Sequence, residues 1–348
     1  MKLLIVTQKI DKNDDILGFF HGWVAEFAKH CEKVTVITLG AGEYDLPRNV
    51  EVLSLGKEEG KSCLKYTLNF YKYIWSKRKD YDDVFVHMNP EYVVLGGIFW
   101  RITGKKIGLW YMHKSVNFKL RIAEKLTHTI FSATKESFRL KTKKLNITGH
   151  GIDINKFSLR NESVSVGKII TIGRISPIKD YDTLIDAIEI LQKDNVRIQL
   201  DILGGSRSLY QNYLKELKQK VKDKNLSDQI NFVGAVPNND IVDYLHQSDL
   251  FINTSQTGSL DKAILEAMAC GLIVLSSNDS SKNVFGKYKD RLFFESGDSL
   301  DLSQKISEVI SLTSNERKNI GLDLRREVEK NHNLEELIKK IIFIYQKI

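Results

Sequence analysis

Gly167-Lys168-Ile169-Ile170-Thr171-Ile172-Gly173-Arg174-Ile175-Ser176-Pro177-Ile178-Lys179-Asp180 is the stretch that decides how the chain is read. A short aliphatic run, 167–172, is cut by a glycine and followed by Arg and Lys five residues apart. An apolar period of helical spacing then starts near Asp180 and continues to 193. Strand, turn and helix in that order form the unit of a parallel sheet covered by helices. Midway along the chain this unit opens a fresh series, with further strands near 198–203, 229–234, 249–253 and 273–276. Helices are expected between them near 208–225, 238–248 and 260–270. The first half carries its own series, with strands at 2–7, 33–39, 50–54, 83–87, 106–112 and 129–132. Its helices are expected near 18–31, 63–78, 91–103 and 118–127. A polar joint lies at 153–166, where Asp153-Ile154-Asn155-Lys156 leads into Arg160-Asn161-Glu162-Ser163. The expectation is α/β, with two doubly wound domains at 1–155 and 156–348. Ligands of such sheets bind outside the carboxyl ends of the strands, here at a shared cleft. After about 299 the pattern is helical to Ile348, so the chain should end in helices, the last packing back on the N-terminal domain.

Size and composition agree with this. At roughly 150 residues per domain, 348 residues suggest two compact units. A 42% hydrophobic share, four prolines and a mean hydropathy of −0.26 exclude collagen-like and broadly disordered chains. The net charge of +8 is local: residues 1–155 hold 25 basic and 17 acidic side chains, whereas 156–348 hold 27 of each. Within 61–144 there are 18 basic against 6 acidic side chains, which points to an acidic partner: nucleic acid, an anionic membrane or a phosphate-bearing substrate. Cys31, Cys63 and Cys270 stand far apart without a CxxC pair, so neither a zinc site nor a disulfide framework is expected, and a reducing cytosol is the natural setting. Leu3-Leu4-Ile5-Val6 is too short for a signal peptide, and no run approaches the roughly 20 apolar residues of a membrane helix.

Two segments carry candidate chemistry. In the first, Gly173, Arg174 and Lys179 follow a strand, and fixed charges, backbone N–H groups and the positive end of a helix dipole can converge on a diphosphate. The plainer reading is a solvated surface pair. In the second, Thr254-Ser255-Gln256-Thr257-Gly258-Ser259-Leu260-Asp261 leads into Lys262-Ala263-Ile264-Leu265-Glu266-Ala267-Met268-Ala269-Cys270-Gly271. Amides near Gly258, Ser259 and Leu260 suit phosphate or sugar oxygens. Glu266 sits among apolar neighbours, a costly place for a carboxylate without partners, and a ribose diol would satisfy it. The plainer reading is a surface Glu on an amphipathic helix.

Together the strand-Gly-Arg-x4-Lys element and the Glu-Ala-Met-Ala-x-Gly helix resemble the retaining glycosyltransferases of family 4, over most of the chain. The resemblance implies the GT-B fold of two Rossmann-like domains facing a central cleft, the first binding the acceptor and the second a nucleotide-sugar. It implies that Arg174 and Lys179 hold the donor diphosphate and that Glu266, as the second Glu of an E-x7-E motif, holds the ribose. The first Glu is replaced by Gly258, and Asp261 is the candidate to take over part of its role near the sugar. His113, at the end of strand 106–112, resembles the family's active-site His. His87 also ends a strand, and His150 falls where the family has an N-G-[IV]-D linker. Gly18 matches the family's Gly-bearing first loop, where an amide approaches the diphosphate, and the acidic residues Asp11, Asp14 and Asp15 of that loop are either acceptor contacts or solvated. Gly204-Gly205 resembles the Gly loop of the second domain.

The implied reaction is transfer of a sugar, UDP-linked by preference, to a glycan or lipid-linked acceptor with retention of configuration, in cell-surface polysaccharide or glycoconjugate assembly. Neither cofactor nor metal is expected, since no His/Asp/Glu spacing suggests a metal site and the resemblance implies a fold that does not need one; stabilisation of the departing diphosphate would come from Arg174, Lys179 and the 258–260 amides. The competing readings are a non-catalytic nucleic-acid or anionic-surface binding protein and another GT-B enzyme such as an epimerase. No recognition motif accompanies the basic residues, so nucleic acid is not the expected partner. Lys119, Arg121, Lys125, Lys135, Arg139, Lys141 and Lys143, interleaved with Phe118, Leu120, Ile122 and Phe131, favour peripheral attachment to the inner face of the cell membrane, although solvated basic helices give the same pattern.

Overall fold

The computed structural model describes residues 1–60, 62–160, 167–256 and 259–348. The chain divides into two compact units, one formed by Met1–Asp153 with His332–Ile348 and the other by Ile154–Asn331.

In the first unit, β1 (Lys2–Ile10), α1 (Gly18–His30), β2 (Lys33–Ala41), β3 (Val50–Ser54), α2 (Cys63–Ser76), β4 (Asp83–His87), α3 (Pro90–Ile102), β5 (Lys106–Trp110), α4 (Phe118–Leu126), β6 (Thr129–Ser132) and β7 (Leu145–Ile147) succeed one another. Their strands form one parallel sheet in the order β3-β2-β1-β4-β5-β6-β7. The order reverses direction at β1 and β4, which places a topological switch point beside the loops after these strands. Both faces of the sheet are buried. Leu3, Ile5, Val34, Val36 and Phe85 pack with Phe20, Val24 and Phe27 of α1 on one side. Leu4, Val6, Val84, Val86 and Ile107 pack with Phe70, Ile74, Val93 and Trp100 of α2 and α3 on the other. Such two-sided burial explains why these strands read as continuous apolar runs rather than alternating ones.

The second unit runs β8 (Lys168–Ile172), α5 (Tyr181–Lys193), β9 (Gln199–Leu203), α6 (Gln211–Asp223), β10 (Ile230–Gly234), α7 (Ile241–His246), β11 (Leu250–Asn253), α8 (Lys262–Ala269), β12 (Ile273–Ser276), α9 (Lys289–Leu292), α10 (Ser299–Ser311) and α11 (Ser314–Asn331). Its parallel sheet has the order β10-β9-β8-β11-β12, with the switch point between β8 and β11. The last helix, α12 (Leu334–Lys347), packs in the first unit, where Leu337, Ile338, Ile341 and Tyr345 join the core beneath α1. Tyr345 is fully enclosed and donates its hydroxyl to the Val84 carbonyl at 2.7 Å.

Two differences from the sequence reading have local causes. β1 extends three residues past 7 because Lys9 and Ile10 continue the ladder opposite Gly40 and Ala41 of β2, a pairing invisible in a segment read alone. β7 is only three residues long, held by Ile130↔Leu145 and its two neighbouring pairs, too short to carry a strand signal. Among the described residues no helix is long and apolar enough to cross a membrane.

Candidate functional site

At the carboxyl edge of the second sheet, the loops after β8, β9 and β11 are fastened to one another. The Gly173 N–H donates to the Leu203 carbonyl at 2.9 Å, Ile175 N–H to Gly205 at 2.9 Å, and Gly204 N–H to Gly234 at 2.7 Å. Gly204 has φ +153, and a Cβ there would lie 1.9 Å from the Gly173 carbonyl oxygen, so only glycine lets the two turns approach this closely. Tyr181, the first residue of α5, donates its hydroxyl to that same carbonyl at 2.7 Å. The Lys179 side chain lies across Gly173, its Cε 3.1 Å from where a Cβ would stand. The loop after β11 closes on the same segment: Thr254 Oγ1 donates to the Lys179 carbonyl at 2.6 Å and Gln256 N–H to Ile178 at 3.1 Å.

These bonds fix the chain carrying the two cations. Arg174 is exposed, and its guanidinium meets no protein partner among the described residues. Lys179 Nζ lies 2.7 Å from Asp261 Oδ2, and the same oxygen accepts from Asn253 Nδ2 at 2.8 Å. Asp261 is therefore tied to the lysine of the proposed clamp and to the end of β11. Lys179 is held in place by a bond that a phosphate oxygen can replace with one of equal kind.

Two parts of the expected anion site differ from the sequence reading. The N-terminus of α5 is already occupied. Asp180, in the left-handed conformation at φ 48, caps it, its carboxylate accepting from Thr183 N–H at 3.4 Å and Thr183 Oγ1 at 2.9 Å, and Asp182 adds a further acid in the first turn. With two carboxylates there, the helix dipole is answered from within the protein. Secondly, α8 starts at Lys262 with Asp261 as its N-cap, so Ser259 and Leu260 precede the helix. Leu260 is buried, and the Ser259 carbonyl accepts from Asn278 Nδ2 at 2.7 Å. Gly258 lies outside the described residues.

Glu266, one turn into α8, is 3% exposed. Its Oε1 pairs with Lys262 Nζ at 2.8 Å and accepts from Asn238 Nδ2 at 3.4 Å. Asn238 Oδ1 in turn accepts from Lys156 Nζ at 2.7 Å. The buried carboxylate thus has the partners its setting demands, and it sits in a cluster separate from the Gly173–Lys179–Asp261 group. Tyr181, Asn253 and Asn238 were not singled out in the sequence. Asn253 had a signal, as a polar residue ending the buried run Leu250-Phe251-Ile252.

In the first unit, Gly18 is the buried first residue of α1, and its N–H donates to the Asp14 carbonyl at 3.1 Å. The acidic loop before it is largely self-satisfied. Asp14 accepts from Lys9 Nζ at 2.6 Å and from the Ile16 and Leu17 N–H groups at 2.9 and 2.7 Å. Burial opposes ionisation of Asp14, but these donors prevail and hold its carboxyl below the ordinary range. Asp11 pairs with Lys9 at 3.1 Å, which leaves Asp15 as the exposed acid.

His113 lies in the loop after β5 and is exposed. Its Nδ1 accepts from Ser115 N–H at 3.0 Å, so the neutral ring presents Nε2–H outward as a donor. His87, at the end of β4, is enclosed instead. It stacks on Phe20 with ring centres 3.9 Å apart and meets Thr7 Oγ1 at 3.2 Å, and burial pushes its pKa down to about 3. A ring held neutral in this way is a packing element. Buried His150 stands between two glycines with positive φ and beside His332, within the first unit.

Residues 157–327 match the family described as glycosyl transferases group 1. The match takes in nearly the whole of the second unit. Over 149 residues, 39% of this chain and 33% of the relative, the chain is 29% identical to mannosylfructose-phosphate synthase of Agrobacterium fabrum. It is 30% identical over 159 residues, 45% of this chain and 43% of the relative, to the capsular polysaccharide biosynthesis glycosyltransferase CapH of Staphylococcus aureus. The matched stretches thus span a third to under a half of these curated relatives. Among solved structures, Anabaena Alr3699/HepE in complex with UDP superposes with a TM-score of 0.79 over 100% of both chains at 18% identity. Sucrose-phosphate synthase from Thermosynechococcus elongatus gives 0.80 at 14% identity, over 100% of this chain and 99% of that one. At such identities the likeness is one of fold, and it bears out the two-Rossmann GT-B class.

Proposed function

We propose that this protein is a retaining glycosyltransferase that moves a sugar from a nucleotide-sugar, UDP-linked by preference, to a glycan or lipid-linked acceptor in polysaccharide or glycoconjugate assembly. The observation that carries this is the Gly173–Gly204 turn pair with a positioned Lys179 and an Arg174 that meets no partner among the described residues, inside the segment that matches the family. As the glycosidic bond breaks, negative charge gathers on the departing diphosphate. Arg174 stabilises it with a fixed guanidinium fork, and Lys179 exchanges Asp261 for a phosphate oxygen. Each charge-assisted bond contributes about 1.5–3 kcal/mol. Glu266 is assigned to the ribose and His113, through Nε2–H, to the donor sugar; the Gly18 amide, already bonded to the Asp14 carbonyl, is left out of the assignment. The UDP preference draws support from HepE, a solved neighbour that holds UDP and, in another structure, UDP-glucose. Metal-independent transfer fits a site in which two side-chain cations stand at the diphosphate.

The test is calorimetric titration of UDP and GDP against the parent and Glu266→Gln, joined to a donor screen read by nucleotide release with and without EDTA. Micromolar UDP binding that weakens at least tenfold in Glu266→Gln, with EDTA-insensitive turnover of a UDP-sugar, is expected. Binding and turnover of GDP compounds alone would overturn the donor assignment, and donor hydrolysis or epimerisation without an acceptor would overturn transfer.

A further inference from the structure

The outer layer of the first unit carries an apolar stripe that the proposed reaction does not use. On α2, Leu64, Leu68, Tyr71 and Trp75 recur at intervals of four, three and four, which puts them within a narrow sector of the helix and extends the stripe about 16 Å along it. This sector faces away from the core, which α2 meets through Phe70 and Ile74. Ile98 and Ile102 of α3 add to it, and Leu64, Leu68, Trp75, Ile98 and Ile102 each keep 60% or more of their surface exposed. The two helices share this outer face, since Trp75 and Phe99 lie 5.8 Å apart and Tyr71 donates its hydroxyl to the Leu95 carbonyl at 3.1 Å.

The charge that α2 itself carries is of one sign. α2 contains no acid, and its Lys65 and Lys72, both exposed, project along one flank without an ion-pair partner among the described residues. The one acid of α3, Glu91, is bonded to Lys119 at 3.0 Å, and Asp80 beyond α2 is bonded to Lys33 at 2.9 Å. Arg78 lies over the Trp75 ring at 4.5 Å, and exposed Arg121 and Lys125 follow on α4. An exposed aromatic and aliphatic stripe flanked by lysines fits an interface between lipid headgroups and acyl chains. A second copy of the same face fits poorly, because two α2 helices would bring four lysines and no acid to the contact. We infer that the outer face of α2 and α3 seats the protein on an anionic bilayer, with Leu68 and Trp75 entering the headgroup–acyl boundary and Lys65 and Lys72 meeting lipid phosphates. This relocates the membrane contact expected in 114–144, where Leu120 and Phe131 are buried in the core and Phe118 alone of the four apolar residues is exposed. The inference rests on this face alone and not on the transfer reaction.

The four tryptophans make the test site-specific, since Trp23, Trp100 and Trp110 are buried and only Trp75 is exposed. The full chain is floated with vesicles of phosphatidylcholine containing 30% phosphatidylglycerol or none, and its fluorescence is followed with brominated lipid. Binding to the anionic vesicles alone, with a blue shift and quenching of Trp75, is expected. Leu68→Ser combined with Trp75→Ser should lower partitioning tenfold or more. Lys65→Glu combined with Lys72→Glu should do the same at about fivefold per charge removed, and UDP binding should stay at the parent's level in both. Absence of binding to anionic vesicles, binding without quenching of Trp75, or a dimer in light scattering that the Leu68/Trp75 double variant abolishes would each overturn the inference. UDP titration is read separately, so loss of the membrane contact and failure of the donor site are distinguishable.

Discussion

Acid should loosen the first unit well before its carboxylates are protonated, because that unit encloses two histidines in neutral form. Burial pushes His87 to about 3, and burial with the nearby charge of Lys340 brings His332 to about 4, both from an ordinary 6.5. His332 has a structural reason to resist a proton, since its Nδ1 accepts from the His150 N–H at 3.2 Å. A depressed folded-state value means that stability is fully present above pH 6.5 and is lost as pH falls towards the folded value. At pH 5 the unfolded ring is protonated and the folded one is not, which costs about 2 kcal/mol for each histidine, or about 4 kcal/mol for the pair relative to pH 7. That is a large part of a typical stability of about 5–15 kcal/mol. His128, lowered by burial and Arg101, acts in the same direction, while Asp83, raised by burial, acts in the opposite one. Comparison with His87→Phe isolates the single ring, because the other groups are common to both chains. All four tryptophans lie in the first unit, so their emission during urea unfolding reports on it alone. His87→Phe should lose about 2 kcal/mol less than the parent between pH 7 and pH 5, whatever its stability at pH 7. If the variant loses as much as the parent, His87 is not held neutral and the argument fails.

Two glycines make an opposed pair. Gly204→Ala forces a methyl against the Gly173 carbonyl and should cost about 3 kcal/mol or more by calorimetric unfolding. Gly22→Ala, inside α1 with nothing within 4 Å of the added carbon, should stabilise by about 0.5–1 kcal/mol, and a loss there would contradict the described packing. Lys179→Ala should weaken UDP binding about 10- to 100-fold by titration. Its melting temperature should stay near that of the parent, because Asp261 keeps its bond from Asn253, and unchanged affinity would remove Lys179 from the donor site.

The fold class was legible because parallel strands buried on both faces write themselves as unbroken aliphatic runs, Leu3–Val6 and Ile169–Ile172 among them. Helix ends were less so. Asp261 carries the signature of an N-cap, yet its carboxylate is taken by Lys179 and Asn253, contacts made across distances of 82 and 8 residues. Asp180 likewise looks like a residue beside an anion site, and only its left-handed backbone and bond to Thr183 show that it fills the helix end itself.

The membrane face was hidden for a different reason. A helix that is apolar on one side is read correctly, but α2 is apolar on two: Phe70 and Ile74 point inward while Leu64, Leu68, Tyr71 and Trp75 point outward. From sequence the two stripes are not told apart, because they adjoin on the helix and only docking decides which of them faces the core. What separates them is burial in the folded unit, where of α2 only Phe70 and Ile74 are enclosed. Burial of Phe70 against Trp100, with ring centres 6.0 Å apart, settles which stripe faces the core. The surplus stripe then needs an explanation that the core cannot give. The basic excess in 61–144, which the sequence reading places on a membrane through 114–144 rather than through α2, supplies it by saying what kind of surface the stripe can meet.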